Sequence, residues 1–325
     1  MKTQTRDSIL TFVTARERVS AKLIIAHVGL TPAAVFRQLA KLITLGLLKK
    51  QGVPPKVFYS LKRSVVVPLD YVFAHHIKQA LTRQFLKIGT DGTLQQGVQA
   101  FVRWCVARGL EPVRAATDYV AVMEKYAAYK RDGLIDGTAK LRRTFPTTYL
   151  DRLLYLDFYS VERFGKTKLG ELILYAKQSQ NTRLIREILQ EVRPSILRLI
   201  QAQQIDAVGF IPPTVRREVQ FMKELEIGLN LPVRLIKIIK IKTQIAVPQK
   251  TLTKLADRIE NAHETLVVED EGSYQNVLLI DDAVGSGATI QEVAAQVRQK
   301  NLCRGALIGL SLVGSYSGFE VIHEV

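Results

Sequence analysis

The segment that most constrains the fold lies near the C-terminal end, at residues 276–290, and reads NVLLIDDAVGSGATI. Its four apolar residues, 277–280, predict a strand buried on both faces, as in a parallel sheet. Asp281 and Asp282 follow the strand, and a small-residue loop and the helix-like segment IQEVAAQVRQK come next. Open α/β sheets bind ligands at the carboxyl ends of their strands. We therefore expect an α/β domain with a ligand site at this strand end.

The loop after the two aspartates is suited to a phosphate group. Its residues are Ala283, Val284, Gly285, Ser286, Gly287, Ala288 and Thr289. Glycine permits a backbone path that points several N–H groups at one anion, and the start of a helix adds its dipole. The two carboxylates can accept hydrogen bonds from ribose hydroxyls or bind magnesium. The segment thus suits a ligand that has a phosphate together with either a ribose or a bound magnesium ion.

Two other interpretations start from the same pattern. A response-regulator receiver also begins with an apolar strand and two acids. Its doubly wound sheet needs about 100 residues or more, whereas only 43 follow Asp282. The receiver is therefore excluded. A Rossmann-like strand end with no ligand stays open, because a motif depends on its structural context.

The segments before this one fit the same kind of domain. IDAVGFIPPT (205–214) predicts an earlier buried strand that ends in a loop. RREVQFMKELEIGL (216–229) then predicts a helix, and LPVRLIKIIK (231–240) predicts another strand.

This half of the chain resembles the type I phosphoribosyltransferases, whose phosphoribosyl pyrophosphate (PRPP) site is an apolar strand, two acids and a TTG-x-T-like loop. The resemblance implies that Asp281 and Asp282 hold the ribose hydroxyls and that the loop from Gly285 to Thr289 holds the 5′-phosphate. GSG-A-T replaces TTG-x-T, which removes one hydroxyl contact at Gly285. It also implies a pyrophosphate site after the earlier strand and Mg²⁺ arriving with PRPP. The residues implied there are Pro212, Pro213, Thr214, Arg216 and Arg217.

More narrowly, residues 150–325 resemble the ComF group of phosphoribosyltransferases. Residues 242–262 match that group's Q-x-x-L…R-x-x-N stretch through Gln249, Leu252, Arg258 and Asn261. This implies a mobile loop in which Lys250 and Arg258 reach the pyrophosphate, and residues 158–178 correspond to a helical lead-in. The zinc-binding cysteines of many ComF proteins are absent, and VQFM (219–222) replaces the usual R-G-F-N. If the domain is an active transferase, the resemblance implies catalytic roles for Asp281, Asp282, Lys250 and Arg258.

The first sixty residues predict a different module. Ser20 and Gly29 are suited to begin and end a helix over 20–28, and Thr31 with Pro32 begins a second helix that ends at Gly46. Two short helices around a turn with glycine predict a helix-turn-helix. The segments LLKK, QGVPPK and VFYSLKR then predict a two-stranded wing.

Residues 5–62 resemble the winged-helix regulators of the MarR and ArsR kind. The second helix of such a module enters the major groove of DNA, while the wing lies near phosphates. Arg37 and Gln38 are chemically able to recognise guanine and adenine edges. A winged helix used only for protein contacts is the alternative. The implied DNA-binding residues are Thr31, Ala33, Ala34, Arg37, Gln38 and Lys41 on the helix, and Lys49, Lys50 and Lys56 on the wing.

The charge distribution favours the binding of a polyanion by the N-terminal residues. The formal net charge is +16, and residues 1–62 hold 11 Lys and Arg against Asp7 and Glu17, a net +9. Residues 264–325 hold three basic against nine acidic residues, a net −6. A basic module beside an acidic end is consistent with nucleic-acid binding by the first sixty residues.

The composition argues against disulfide-rich, zinc-binding, membrane and secreted classes of protein. Only Cys105 and Cys303 occur, so neither a disulfide framework nor a four-cysteine zinc site is available. His75 and His76 are adjacent and do not share a helix face, so we predict no metal site made by the protein alone. No apolar run reaches the roughly 20 residues of a membrane span, and the N-terminus does not resemble a signal peptide. We expect a cytoplasmic protein with no membrane partner.

The whole chain is predicted to be α/β in three parts: a winged-helix DNA-binding domain (1–63), a mostly helical connecting region (64–149) and a phosphoribosyltransferase-like domain with a mostly parallel sheet (150–325). The leading hypothesis is a transcriptional regulator that binds DNA and senses PRPP or a nucleotide. A catalytically active ComF-like transferase and a competence-type nucleic-acid-handling protein are the alternatives. A homodimer is a further candidate, since helix-turn-helix proteins commonly bind two half-sites.

Overall fold

The computed structural model describes residues 2–61, 71–90, 92–213, 217–241, 252 and 254–315. The chain divides into two compact units. The first consists of Met1–Asp70 and Thr90–Thr93, and the second of Tyr71–Gly89 and Leu94–Val325. Residues 94–149, predicted as part of a connecting region, thus lie in the second unit. Within the described residues the protein is mixed α/β, with twelve helices and a seven-stranded, mostly parallel sheet.

The first unit is built from three helices and a small antiparallel sheet. Its apolar core holds Ile9, Val13, Ile24, Leu39 and Leu48. The sheet has the strand order β1-β3-β2. The elements are α1 (Lys2–Arg16), β1 (Val19–Ser20), α2 (Ala21–Val28), α3 (Pro32–Thr44), β2 (Leu48–Gln51) and β3 (Phe58–Leu61).

The predicted ends of α2 and α3 are largely confirmed. The Ser20 side chain accepts a hydrogen bond from the Leu23 backbone N–H at 3.4 Å, and Gly29 ends α2 in the left-handed conformation with φ of 68°. Pro32 is the first residue of α3, although Thr31 makes no side-chain capping bond. Gly46 follows α3 with φ of 70°.

The second unit contains the seven-stranded sheet and three two-stranded pairs. The large sheet has the order β12-β11-β15-β16-β8-β7-β6, and its five strands from β12 to β8 are mutually parallel. The strands are β4 (Leu86–Ile88), β5 (Leu94–Gln96), β6 (Lys130–Arg131), β7 (Leu134–Asp136), β8 (Arg152–Phe158), β9 (Ser160–Val161), β10 (Gly165–Lys166), β11 (Ala207–Phe210), β12 (Arg234–Ile236), β13 (Ile238–Lys240), β14 (Leu266–Val268), β15 (Val277–Val284) and β16 (Leu307–Gly314).

Helices α8, α9 and α10 cover one face of the large sheet. Their apolar side chains form one continuous core with alternate residues of β8, β11, β15 and β16, including Leu278 and Ile280 of β15. The helices of the second unit are α4 (His75–Gln84), α5 (Gly97–Val106), α6 (Pro112–Ala127), α7 (Thr138–Thr144), α8 (Lys168–Ser179), α9 (Thr182–Ala202), α10 (Phe221–Leu229), α11 (Leu255–Thr265) and α12 (Ala288–Gln299).

Three predictions for the C-terminal half need correction. Residues 231–240 form two strands in different sheets. The first strand, β12, pairs with β11 up to Ile236, and the next strand, β13, pairs with β14. The helix predicted from residue 216 begins only at Phe221, since the Arg217 guanidinium donates a hydrogen bond to Lys177 of α8 and the Val219 N–H donates one to Gln180, which caps that helix. Strand β15 continues past the aspartates to Val284, because its pairing with β16 continues to Gly314.

Two further segments also differ from expectation. Residues 158–178 are not helical throughout, because the end of β8 and the β9–β10 hairpin precede α8. The mostly helical middle region contains the β4–β5 hairpin and strands β6 and β7, which extend the large sheet beyond β8.

No single helix in the described part of the chain has both the length and the apolarity of a membrane span. Only α2 and α3 counted together, across a bend of 112°, pass that test on length and composition.

Candidate functional site

The candidate ligand site lies where two central parallel strands end. Strand β11 is followed in the chain by β12 on one side of it, whereas its other neighbour, β15, is followed by β16 on the opposite side. The strand order therefore reverses between β11 and β15. Ligands of open α/β sheets bind outside the carboxyl ends of the strands at such a reversal. The segment after β11 and the loop after β15 are thus brought to one edge of the sheet.

The acid pair, defined as Asp281 and Asp282, occupies the last part of β15. Successive residues of a strand point to opposite faces, so Asp282 shares the face of Leu278 and Ile280, which is covered by α8 and α9. There its carboxylate Oδ2 lies 2.8 Å from the Lys177 Nζ of α8. The Asp281 Oδ1 accepts a hydrogen bond of 2.8 Å from the Asp282 backbone N–H.

The environment raises the pKa of Asp281 well above the ordinary value of an aspartic acid. Removal from water has the largest effect, and the adjacent Asp282 carboxylate acts in the same direction because two like charges disfavour one another. The hydrogen bond from the Asp282 N–H and the charge of Lys177 oppose the shift without cancelling it. A carboxyl group with a raised pKa at a strand end is typical of a functional site.

The predicted phosphate loop leads directly from the acid pair into α12. Gly287 has φ of 82° and stands at the start of the helix without a side-chain cap. The Ser286 Oγ accepts a hydrogen bond of 3.3 Å from the Ala288 N–H. Gly285, Ser286 and Thr289 are partly exposed, whereas Gly287 and Ala288 are buried. The first turn of a helix has backbone N–H groups without partners inside the helix, so this loop can receive an anion.

Arg258 of α11 lies against this loop. Its side chain is buried, its Nε donates a hydrogen bond of 2.7 Å to the Leu252 carbonyl, and its Nη1 lies 3.6 Å from the position that a Cβ on Gly285 would take. Burial lowers the pKa of Arg258, but an arginine in a protein stays protonated. A guanidinium group therefore lies beside the loop. Lys250, its predicted companion, lies outside the described residues.

The segment after β11 lies at the same edge. The Ile211 N–H donates a hydrogen bond of 2.9 Å to the Ile280 carbonyl, which joins the two strand ends. Pro212 and Pro213 are partly exposed. The Arg217 guanidinium donates to the Lys177 carbonyl, so it contacts the C-terminal turn of α8. Thr214 and Arg216 lie outside the described residues.

Lys177 is the residue of this site that sequence reasoning missed. It belongs to α8, about one hundred residues before the acid pair, in the segment 158–178 that is matched only as a helical lead-in with no chemical role. Only the packing of α8 on the sheet brings the ammonium to Asp282. A sequence signal for it is limited to its position in the last helical turn, where a cation is generally favoured by the helix dipole.

The predicted DNA-contacting residues lie on the exposed side of the first unit. The opposite face of α3 packs into the core through Val35, Leu39 and Leu42. Phe36 is also 49% exposed on this helix, although it is not among the predicted DNA-contacting residues. The exposed predicted residues are Thr31, Ala33, Arg37, Lys41, Lys50 and Lys56, and the partly exposed ones are Ala34, Gln38 and Lys49.

Within the described residues, no group of three or more His, Cys, Asp or Glu side chains could hold a metal ion. The two cysteines are buried and free. Compared with known proteins, the chain matches no protein-family model and no curated protein.

Proposed function

We propose that this chain is a transcriptional regulator that binds DNA through a winged helix and senses PRPP, or a nucleotide, through a ComF-like domain of type I phosphoribosyltransferase fold. One observation supports the part of this proposal that concerns ligand binding. The acid pair, the small-residue loop and the buried Arg258 meet at the reversal of strand order between β11 and β15. A ribose phosphate needs hydroxyl acceptors beside an anion site, and this edge offers both.

Each group has a definite chemical role in that proposal. The carboxylates of Asp281 and Asp282 accept hydrogen bonds from ribose hydroxyls. The N–H groups of the loop and of the first turn of α12 donate to the 5′-phosphate, as helix N-termini commonly do for anions. Arg258 adds a charge-assisted donor beside Gly285. Mg²⁺ enters with PRPP, where it neutralises pyrophosphate oxygens.

The DNA half rests on the architecture and charge of the first unit. Helices α2 and α3 meet at 112°, within the range typical of helix-turn-helix motifs. The β2–β3 pair that follows supports the interpretation as a wing. Ala33, Arg37 and Lys41 are four residues apart and form one exposed row on α3. The net charge of +9 over residues 1–62 favours DNA as the partner.

The PRPP site is tested by calorimetric titration of magnesium-PRPP into the full-length protein. We expect micromolar binding by the natural chain, and a loss of at least about tenfold in Asp282→Asn, because charged hydrogen bonds contribute about 1.5–3 kcal/mol. Asp118→Asn is the matched control. Asp118 is also in an ion pair, 2.9 Å from Arg163, but it lies on α6 and not at the strand ends.

The result separates the hypotheses. Equal binding by the natural chain and both variants, or no binding by any of them, contradicts a PRPP site at the acid pair. Release of pyrophosphate from PRPP, with transfer of the phosphoribosyl group to an added nucleobase or to water, favours the active transferase over the sensor. Thermal unfolding of each variant shows whether a loss of binding reflects a loss of folded protein.

A further inference from the structure

The ion pair between Lys177 and Asp282 adds a charged group to the candidate site. The Lys177 Nζ lies 2.8 Å from the Asp282 Oδ2, and the two side chains are 32% and 13% exposed. An ion pair that is largely shielded from water is much stronger than one on the surface. The acid pair therefore has a positive charge beside it that belongs to the protein itself.

The backbone that supports Lys177 is fixed from several sides. Ile173, Leu174 and Ala176, in the turn before it, are buried. The Lys177 carbonyl accepts a hydrogen bond from the Arg217 guanidinium, and the Gln180 Oε1 accepts one of 2.9 Å from the Val219 N–H. The C-terminal turn of α8 thus joins the acid pair to the segment after β11. Its dipole also favours a cation at this end of the helix.

The same geometry leaves few ligand atoms for a magnesium ion that the protein itself would hold. Two carboxylates are present, and one already faces an ammonium group. No third His, Cys, Asp or Glu completes a cluster within the described residues. Magnesium sites in proteins normally need one or two free carboxylates together with substrate phosphates and waters. Within the described residues the site therefore offers Mg²⁺ one carboxylate beside one that is already paired, and the other ligands of the ion must come from the pyrophosphate of a ligand and from water.

We propose that Lys177 is the resident counter-ion of the acid pair and makes binding of the ribose phosphate portion of the ligand independent of divalent cations. This inference rests on the proposed function, since it concerns the same site. The physical reason is repulsion. A phosphate dianion in the loop from Gly285 to Thr289 would lie beside the negative charge of the acid pair, and like charges oppose binding unless a cation offsets them. Lys177 provides that charge.

Ribose 5-phosphate is the appropriate probe, because it lacks the pyrophosphate that binds Mg²⁺ strongly. Its affinity for the full-length protein is measured by calorimetry with EDTA and again with Mg²⁺. We expect the natural chain to bind equally in both. We expect Lys177→Met to bind at least about tenfold more weakly in EDTA and to regain affinity with Mg²⁺, which then takes the place of the ammonium.

Two variants complete the experiment. Lys177→Arg keeps the charge and should bind like the natural chain in both conditions. Lys168→Met is the matched control, since Lys168 lies on the same helix and pairs with Glu191 at 2.6 Å outside the site. Should Lys177→Met not fold, Lys177→Gln replaces it as the uncharged variant.

The outcomes distinguish this inference from the proposed function. If the natural chain binds ribose 5-phosphate only with Mg²⁺, or if Lys177→Met shows no cation dependence, the inference is overturned while the sugar-phosphate site stands. If the natural chain binds ribose 5-phosphate under neither condition, the ribose phosphate site itself is refuted.

Discussion

At the scale of single residues, the two aspartates of β15 have different surroundings because strand geometry sends them to opposite faces. Asp282 shares the face of Ile280 and meets Lys177 of α8. Asp281 points to the other face, where removal from water and the neighbouring carboxylate raise its pKa. Adjacent acids that look equivalent in the sequence therefore have different surroundings in the folded protein.

The raised pKa of Asp281 predicts a pH dependence of stability. An acid whose pKa is higher in the folded state stabilises the protein below its unfolded pKa, about 3.9, and this contribution is lost as the pH rises through the folded pKa. We expect Asp281→Asn to become more stable relative to the natural chain as the pH rises from about 5 to about 8. The gain in free energy of unfolding should reach at least about 1.4 kcal/mol, the equivalent of one pKa unit.

Urea unfolding at several pH values measures this difference. Asp270→Asn serves as the control, because the Asp270 Oδ1 accepts hydrogen bonds from the Gly272 N–H and the Tyr274 hydroxyl at a different place in the unit. A constant difference between Asp281→Asn and the natural chain, or one that shrinks with rising pH, would show that Asp281 has no raised pKa in the folded protein.

Residue-level prediction from sequence reaches residues that share a local pattern and misses a residue that only packing brings to the same place. Asp281, Asp282 and the loop up to Thr289 form one continuous segment, and the structure brings this segment to a strand end beside the segment after β11. Lys177 comes from a helix with no chemical pattern of its own. Its approach to Asp282 follows from the way α8 packs on the sheet, which neither propensity nor periodicity encodes.

At the scale of elements, α8 is fixed at its beginning as firmly as at its end. The Thr167 Oγ1 accepts a hydrogen bond of 3.1 Å from the Gly170 N–H and donates one of 2.7 Å to the Phe158 carbonyl. Gly170 lies so close to the chain after β8 that an added Cβ would be 2.1 Å from the Tyr159 carbonyl oxygen. Only glycine permits this approach. The start of α8 thereby sets the position from which Lys177 reaches the acid pair.

Gly170→Ala is therefore expected to be destabilising although alanine favours helices. Because the clash is with backbone, α8 must shift, and overpacking of this kind typically costs about 1–3 kcal/mol. Ser179→Ala is the control on the same helix, since its exposed hydroxyl bonds only to the Tyr175 carbonyl of the preceding turn. Urea unfolding of the two variants gives the comparison. An unchanged or increased stability of Gly170→Ala would mean that α8 does not approach Tyr159 in solution.

The ends of helices and strands show which boundaries a sequence pattern predicts and which it does not. The ends of α2 were predictable because Ser20 and Gly29 act locally, through one hydrogen bond and one left-handed residue. The apolar run 231–240 predicts one strand, whereas its two halves pair with β11 and β14. Strand β8 was not predicted at all. Its run RLLYLDF is almost entirely buried, and a short buried run does not by itself distinguish a strand from a helix.

At the scale of the whole molecule, the proposed regulator requires that its two binding activities influence each other. The first unit has the basic charge and the exposed row on α3 that suit DNA, while the second has the acid pair and the small-residue loop after β15. A ligand changes DNA affinity only if it binds the DNA-competent and incompetent states with different affinity. Two modules in one chain are therefore not sufficient for regulation.

Linkage makes this requirement measurable. If magnesium-PRPP changes the dissociation constant for DNA by some factor, DNA must change the dissociation constant for magnesium-PRPP by the same factor. We expect a factor between about 5 and 150, the usual range of allosteric coupling. DNA sites selected from a random pool by the full-length protein provide the duplex, fluorescence anisotropy measures DNA affinity, and calorimetry measures PRPP affinity with and without DNA.

Two variants test the linkage, one in the candidate ligand site and one on the predicted DNA-binding helix. Asp282→Asn should bind the selected DNA as the natural chain does but lose the response to PRPP. Arg37→Ala should bind DNA more weakly by about 1–3 kcal/mol, the contribution of a base-reading pair, and keep its PRPP affinity. DNA affinity that is identical with and without saturating PRPP in the natural chain would leave two independent binding activities and refute the regulator. Unequal factors in the two directions would mean that the two measurements do not report the same binding equilibria.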